Sequence, residues 1–316
     1  MAHEVEAMAY VQETPWHGLG IKLTEGQPLE VWTREAGMEW DIRETPVHFL
    51  PNNGEFVKVE GQKVLFRSDT EAPLSVVSDR YKPVQPREVL DFYKDLVSAG
   101  GFELETAGVL KGGRKLWALA RTGQEAVLRG GDRVRAYLLL ATACDGSLAT
   151  TAQFTSVRVV CNNTLQMAVG NTTGAIRVPH TVKFDAQAVK DELGLGFSAW
   201  DTFKKSIHTL AARTVSPAEA QAYLANVLGD STLPLDEQPR ERLLKSVYDL
   251  YAGEAVGSDL QAANGTAWGL LNSVTEYLDH HRRERVSGGR LHSAWFGQGA
   301  AVKKHALDEA LKLAAW

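Results

Sequence analysis

The sequence predicts an α+β protein: an antiparallel sheet core, built as a strand meander with packed helices, followed by a helical C-terminal part. Three observations lead to this fold class. Two long strand-like runs, 134–144 and 147–160, flank the dipeptide Asp145-Gly146, which suits a tight hairpin turn. Shorter strand-like runs separated by turn residues precede them from residue 47 onward. After about residue 184 the apolar residues recur at helical spacing instead.

Local signals place the elements in chain order. A short helix near 29–36 precedes short strands within 47–85, and Asn52–Gly54 and Glu60-Gly61 supply turns between these strands. Pro86 suits the first turn of a helix, which Gly100-Gly101 ends. The elements predicted from there are a helix at 86–99, strands at 102–110, 115–121, 134–144 and 147–160, a helix at 163–169, and helices at 184–208, 217–228, 237–251, 265–283 and 306–316.

Two of these helices are predicted from their starts. Asn162, Asn163 or Thr164 can cap the free N–H groups of a helix over 163–169. Ser216-Pro217, with glutamate three residues after the serine, is typical of the first turn of the helix at 217–228. The unit from 134 to 169 therefore reads as strand, turn, strand, cap and helix, and it ends in a polar corner beside Arg158.

The net charge of −5 is unevenly distributed along the chain. Residues 1–66 hold 5 Lys/Arg and 11 Asp/Glu (−6), residues 67–183 hold 15 and 11 (+4), and residues 184–316 hold 14 and 17 (−3). We therefore predict an acidic N-terminal segment with short strands, an α+β core and a helical C-terminal region, with these bounds. The basic middle segment permits an anionic ligand.

Composition also restricts the compartment. No apolar run reaches the roughly 20 residues that span a bilayer, and the N-terminus lacks the pattern of a secretion signal. The two cysteines, Cys144 and Cys161, are therefore expected to be reduced thiols. These features predict a cytoplasmic protein without a membrane partner.

Candidate nucleic-acid-binding residues lie within the predicted sheet core. Arg80 and Lys82 flank Tyr81, and a basic turn at Lys111–Arg114 precedes Trp117. Cations contact phosphates in nucleic-acid complexes, and aromatic rings stack on bases. The alternative is a solvated strand end with Tyr81 in the core and an ordinary glycine-rich turn. The predicted set is Arg80, Tyr81, Lys82, Arg114, Lys115, Trp117, Arg158, Asn162, Asn163, Thr164, His180 and Lys183.

A second basic segment lies between residues 280 and 305. It contains Gly288-Gly289 and the aromatic pair Trp295-Phe296, so it could contact phosphate and stack bases. The alternative is a solvated helix end whose Trp295 packs on the body of the protein. The predicted secondary cations are Arg282, Arg283, Arg285, Arg290, Lys303 and Lys304.

The sequence lacks the common motifs of nucleophilic catalysis, nucleotide hydrolysis and metal binding. The chain has no nucleophile elbow and no phosphate-binding loop of the NTPase type. Asp279-His280-His281 is a poor metal site, because adjacent histidines on a helix point about 100° apart. Trp16–Gly20 is interpreted as a buried turn, with a ligand or subunit contact through His17 as the alternative. We therefore predict no catalytic residue, metal or cofactor.

Five motifs in order resemble a known family. They are RYKPVQPREVLDFY, ETAGVLKGGRKLWALA, YLLLATACDGS, VRVVCNNTL and the pair His180-Thr181, preceded by PWHGLG. Together they resemble the phage- and plasmid-borne family known as domain of unknown function 932, which implies a mobile element and a bacterial host cell. The element order 86–169 is also similar to the fold of phage single-strand annealing proteins, which implies rings or filaments.

The resemblances and the basic middle segment predict an ATP-independent single-stranded DNA-binding and annealing recombination protein of a phage or plasmid. It would act as a homo-oligomer whose Arg80, Arg114 and Arg158 line a trough. A phage exonuclease or a host single-strand-binding protein is a candidate further partner. Two alternatives stay open: a nucleic-acid- or nucleotide-processing enzyme with a site near Arg158, Asn162 and His180, and a non-enzymatic protein-interaction or anti-defence protein.

Overall fold

A computed structural model describes most of the chain and confirms the α+β class. The described residues are 5–12, 19–160, 163–166, 175–194, 197–230, 233, 240–282, 293–295 and 297–315. The strands are β1 (Val5–Val11), β2 (Ile21–Leu23), β3 (Ile42–Phe49), β4 (Val57–Arg67), β5 (Pro73–Ser78), β6 (Glu103–Leu110), β7 (Lys115–Val127), β8 (Arg133–Ala143), β9 (Thr150–Arg158), β10 (Asn163–Gln166) and β11 (Ala175–Val178).

Helices frame these strands in sequence and fill the C-terminal part. They are α1 (Leu29–Glu35), α2 (Pro86–Asp91), α3 (Lys94–Gly100), α4 (Ala186–Gly194), α5 (Phe197–Ala212), α6 (Pro217–Leu228), α7 (Glu241–Asp249), α8 (Ala267–Glu276) and α9 (Gln298–Ala314). Single π-helical turns extend α7 through Leu250–Glu254 and α8 through Tyr277–His281. Across the described residues, no helix has the length and apolar composition that a bilayer crossing requires.

The strands form two sheets. The larger has the order β10-β9-β8-β7-β6-β1-β2, with β11 also paired to β9, and the smaller has the order β3-β4-β5. β6 pairs antiparallel with β7 and with β1, while β1 and β2 run parallel. The predicted meander through β6, β7, β8 and β9 is therefore present.

The chain forms two compact units. The first comprises Met1–Gly123, Tyr137–Gln153 and Ala175–Gly194, and the second comprises Gln124–Ala136, Phe154–Gly174 and Leu195–Trp316. These bounds differ from the three consecutive segments predicted from composition, because β7, β8 and β9 each contribute residues to both units.

In the first unit, the residues that cap the start of α2 also bind the helix to a neighbouring strand. The side chain of Gln85 and that of Glu88 form a capping box, and Pro86 opens the helix. The Gln85 side chain also accepts a hydrogen bond from the Ile42 N–H at 2.8 Å, which joins the helix start to β3. Behind the helix, the buried Tyr93 hydroxyl lies 2.8 Å from the carbonyl oxygen of Ala118. The predicted helix at 86–99 thus becomes two short helices around a buried Phe92-Tyr93 pair.

The second unit is organised around α8. Every residue of this helix is buried, as in a helix at the centre of a core. Helix α8 contacts α5 and α9, and α9 also contacts α6. Its first turn is capped by the Thr266 hydroxyl, which accepts the Gly269 N–H at 3.1 Å.

Two local predictions were wrong. The predicted helix at 163–169 is replaced over 163–166 by β10, which pairs antiparallel with β9 from Asn163 opposite Arg158. Pairing with a neighbouring strand overrides the capping signal of the Asn-Asn-Thr segment. The predicted turn at Glu60-Gly61 is instead a bulge inside β4, where Gly61 has a φ of +79°. Residues 167–169 lie outside the described chain.

Candidate nucleic-acid interface

Several predicted site residues meet at the segment that joins β8 to β9 in the first unit. The Tyr81 hydroxyl donates to the carbonyl oxygen of Ala143 at 2.7 Å, and Nε2 of His180 lies 3.1 Å from the carbonyl oxygen of Leu148. The Tyr81 and His180 rings stack, with centroids 4.5 Å apart and planes inclined by 20°. We call residues 143–149, including the end of β8, the β8–β9 connection.

His180 joins this connection to the segment after β5. Its Nδ1 lies 3.2 Å from the carbonyl oxygen of Lys82, and its own carbonyl oxygen accepts the Lys82 N–H at 2.6 Å. The side chain is only 8% exposed. Both ring nitrogens face carbonyl oxygens, which only accept, so a neutral imidazole donates to one of them and an imidazolium to both. His180 is therefore a buried structural link.

Four exposed cations lie in, or within three residues of, the segments that contact this connection. Arg80 and Lys82 flank Tyr81, and Lys183 follows His180 by three residues. Arg114 belongs to a third segment, which is bound to the connection because the Arg114 carbonyl oxygen accepts the Cys144 N–H at 2.9 Å. Within the described residues, none of the four has a carboxylate at ion-pair distance. We call Arg80, Lys82, Arg114 and Lys183 the cationic rim.

The polar groups beneath the rim are held in their uncharged forms. Burial raises the pKa of the Tyr81 phenol above its ordinary value, so the hydroxyl remains a donor. Burial, with a smaller contribution from the Asp145 carboxylate, raises the pKa of the Cys144 thiol to about 12. Nearby Arg114 acts in the opposite direction but does not offset burial. The Ser75 hydroxyl donates to the Cys144 carbonyl oxygen, which completes the hydrogen bonding of this residue.

Arg158 corrects the sequence prediction most clearly. It is 2% exposed in the second unit, and its Nε lies 2.9 Å from both oxygens of Asp132, itself fully buried. Nη2 donates to the carbonyl oxygen of Gly257 at 2.9 Å, and the Trp268 Nε1–H donates to Asp132 at 3.0 Å. The guanidinium is thus committed to a buried ion pair and cannot contact a phosphate chain. The predicted trough of Arg80, Arg114 and Arg158 is not formed.

Thr164 and Lys303 are likewise committed to a carboxylate, that of Asp279, and Lys303 is buried. Lys303 is 2% exposed, and its Nζ lies 2.7 Å from both Asp279 Oδ1 and Thr164 Oγ1. The Thr164 N–H donates to Asp279 Oδ2 at 2.8 Å. Burial lowers the pKa of the Lys303 amine, and the adjacent Asp279 carboxylate opposes this shift. Both residues were predicted as surface groups for phosphate, and both instead join β10 and α9 to the end of α8.

Two further predicted residues face the interior. Lys115 is 5% exposed and Trp117 is 3% exposed, and the Trp117 Nε1–H donates to Thr106 Oγ1 at 3.3 Å. They lie in β7, which has β6 and β8 as neighbours in the larger sheet. The prediction that they contact nucleic acid at a hairpin tip is therefore wrong, and only Arg114 of this stretch is an exposed candidate.

The second basic segment is described only in part. Arg282 donates to Gln298 Oε1 at 2.8 Å, and Lys304 pairs with Asp308 at 2.7 Å. With Lys303 buried, each described cation of this segment has a protein partner. Outside the described residues lie Arg283, Arg285, Arg290, Asn162, Cys161, Trp16 and His17, together with the side chain of Asn163.

The alternative enzyme site around Arg158, Asn162 and His180 gains no support. The donors of Arg158 are committed to the Asp132 carboxylate and to a carbonyl oxygen, and both ring nitrogens of His180 face carbonyl oxygens. In the part of the chain that is described, no group of three His, Cys, Asp or Glu side chains is arranged to hold a metal ion.

The sequence analysis did not identify the residues that pair with the buried cations Arg158 and Lys303. Asp132, Trp268 and Asp279 were not predicted as functional or structural residues. A signal existed for Asp279, since it lies in a helix rich in large apolar residues, where a buried carboxylate needs a counter-charge. No local signal identified Asp132, because its partner is 26 residues away along the chain.

Comparison with known proteins supplies a family. The family described as domain of unknown function (DUF932) matches residues 73–295. The chain belongs to this family. The match confirms the predicted resemblance to this family. The matched region contains all four rim residues, Tyr81 and His180, whereas β3 and β4 precede it. No curated protein and no solved structure matches the chain.

The buried ion pair predicts a stability effect. Replacing Arg158→Met leaves Asp132 charged, buried and without its cation, so the free energy of unfolding should fall by about 3–5 kcal/mol. In Arg158→Met/Asp132→Asn the amide is neutral and still accepts from Trp268, so part of the loss should be recovered. Urea denaturation followed by tryptophan fluorescence measures both. Equal stability of the wild type and Arg158→Met would contradict this account.

The shifted pKa predicts an inert thiol at Cys144. In a Cys161→Ser variant, Cys144 is the remaining cysteine, and the thiolate is the reactive form. At pH 8, alkylation by iodoacetamide should be on the order of 1,000-fold slower in the native protein than in urea, because the native pKa is about 12. Similar rates in the two states would show that Cys144 is accessible and ionises normally.

Proposed function

We propose that the protein binds single-stranded nucleic acid through the cationic rim of its first unit, without nucleotide hydrolysis. The observation that carries this proposal is the position of the rim. Four exposed cations lie in or beside the segments that contact one connection, and the described chain provides no carboxylate at ion-pair distance to neutralise them. Phosphate groups of a nucleic-acid backbone are the ligands that such an arrangement favours.

The rim is held in place by backbone contacts. The Lys82 backbone is bound to His180 in both directions, through its N–H and its carbonyl oxygen. Arg114 is fixed by its carbonyl oxygen to Cys144, beside the residue that Tyr81 contacts. The long side chains can therefore move while their attachment points stay together, which suits an irregular single strand.

Contacts between the rim cations and the phosphates of a strand do not involve its bases. One face of the Tyr81 ring is covered by His180, and the ring is half-buried, so stacking on bases contributes little. Contacts to phosphate position a strand without specifying its sequence. Binding should therefore be insensitive to sequence, and exposed base edges would permit the annealing activity predicted from the fold resemblance.

Neighbouring acids should moderate the affinity. Asp79 directly precedes Arg80 and is exposed. Asp185 lies two residues after Lys183, but its carboxylate accepts the N–H groups of Gln187 and Ala188 at the start of α4. Asp145 lies in the connection itself, and its carboxylate accepts the N–H and the hydroxyl of Ser147. Of these three acids, Asp79 is the one whose removal should help a phosphate chain approach without disturbing a helix cap or the turn at Asp145.

Removal of the rim tests the proposal. The variant Arg80→Ala/Lys82→Ala/Arg114→Ala/Lys183→Ala should lose most of its affinity for a labelled oligothymidylate. If all four cations contact phosphates, log K for the wild type should fall against log salt with a slope of about −3, and each cation removed should reduce the slope by about 0.7. Asp79→Asn should bind more tightly than the wild type. Fluorescence anisotropy across a salt series measures these quantities.

A matched control removes the same charge elsewhere. Lys22 in β2 and Lys205, Arg242 and Lys245 of the second unit are exposed residues outside the segments that contact the connection, and changing all four to alanine gives the same net charge as the rim variant. This control should retain the wild-type salt slope. If the control and rim variants lose affinity equally, or if the wild type does not bind, the rim is not the site. Annealing of complementary strands, measured separately, tests whether binding leads to that activity.

A further inference from the structure

The hairpin between β3 and β4 carries an exposed apolar tip. Phe56 is 73% exposed, Leu50 is 58% exposed and Phe49 is 52% exposed. Phe49 lies opposite Val57 in the strand register, and a turn closes the hairpin with a bond from the Gly54 N–H to the Pro51 carbonyl oxygen at 3.0 Å. We call residues 49–58 the hairpin tip. Contiguous apolar surface of this kind usually marks an interaction site.

The tip has no third strand to support it. Strand β5 pairs with β4 only between Gln62 and Phe66, so residues 57–61 of β4 have β3 as their neighbour in this sheet. The charges along the hairpin are also balanced: Lys63 pairs with Glu44 at 2.7 Å, and Lys58 pairs with Glu60 at 3.0 Å. Because its positive and negative charges are paired, the hairpin does not attract a polyanion such as nucleic acid. A protein surface is the better partner for its exposed apolar residues.

A groove elsewhere in the first unit has the complementary character. Its volume is about 350 Å³, which falls in the range that accommodates a large side chain or a small ligand. Leu29, Trp32 and Leu104 supply apolar lining, and Trp32 is buried at 2% exposure. Further groove residues are Glu25, Glu30, Lys94, Val97, Glu103 and Arg121.

Carboxylates exceed cations in this groove. The Arg121 side chain is shared by Glu25 at 3.3 Å, Glu103 at 2.5 Å and Glu105 at 3.1 Å, so its charge is already satisfied. Glu30 is exposed and forms no ion pair within the described residues. Lys94 is the other cation of the groove, so three carboxylates face two cations and the groove keeps an excess of one negative charge. It therefore suits an apolar side chain accompanied by a positive charge. The hairpin tip supplies both, because Lys58 follows Phe56 by two residues, the spacing that places side chains on one face of an extended chain. The pair of Lys58 with Glu60 is exposed on both sides and contributes little, so Lys58 can exchange Glu60 for a carboxylate of the groove.

We infer that the hairpin tip of one copy docks in the groove of a second copy, with Phe56 against the apolar lining and Lys58 beside Glu30. The tip and the groove share no residues, so the contact either occurs twice in a symmetric dimer or repeats head-to-tail in a ring or a filament. A contact formed by one hairpin tip is smaller than a standard interface of about 1,600 Å², so association should be reversible and concentration-dependent. The inference does not require nucleic acid.

Sedimentation velocity on the full chain without nucleic acid tests this contact between 1 and 100 µM protein. The wild-type mass should rise above 34.6 kDa with concentration. Phe56→Ser should weaken association by at least about 10-fold, as expected for an aromatic residue at the centre of an interface. The matched control Val76→Ser changes an exposed apolar residue of β5 and should associate like the wild type.

A charge exchange identifies the receiving surface. Lys58→Glu alone and Glu30→Lys alone should each weaken association by about 10-fold, and the double variant should regain wild-type association within about 3-fold. Circular dichroism confirms that each variant is folded.

A monomeric wild type at 100 µM would overturn the inference. So would wild-type association of Phe56→Ser, or failure of the double variant to recover, which would mean that another surface receives the tip. Because oligonucleotide is absent, these outcomes are independent of those for the cationic rim.

Discussion

The hydrogen-bonding needs of the β8–β9 connection determine where the cationic rim lies. A chain segment that leaves a sheet presents carbonyl oxygens that require donors when they are buried. Tyr81 supplies a donor to Ala143 and His180 faces Leu148, while Arg114 accepts from Cys144. These hydrogen bonds to backbone groups of the connection therefore bring together three stretches that are distant in sequence. The exposed cations beside these contacts follow as a consequence.

The second unit uses its charges in the opposite way. Asp132 with Arg158 and Asp279 with Lys303 are buried pairs, and each has further hydrogen bonds from neighbouring groups. Such pairs contribute modest net stability, but removing one partner is costly, so they fix which strands and helices can pack together. Arg158 is thus part of the framework of the second unit, and the nucleic-acid proposal depends on other residues.

The sequence was a good guide to the meander and a poor guide to the charges. Long strand-like runs bounded by turns predicted β6, β8 and β9 closely, because local propensity and tertiary pairing agree there. At 163–166 they disagree, and the same Asn-Asn-Thr residues that could cap a helix form β10 against β9. The burial of Arg158 was beyond local reasoning, since its partners come from residues 132 and 256–257. Arg80, Lys82 and Lys183 are exposed as expected, because their exposure depends on their own short segments.

The account depends most on where a bound strand lies, and lysine reactivity measures this directly. Acetylation followed by mass spectrometry, with and without bound oligothymidylate, reports the protection of individual exposed lysines. The account predicts that Lys82 and Lys183 become several-fold less reactive in the complex, while Lys22, Lys205 and Lys245 are unchanged. Protection of the second group without protection of Lys82 and Lys183 would contradict it.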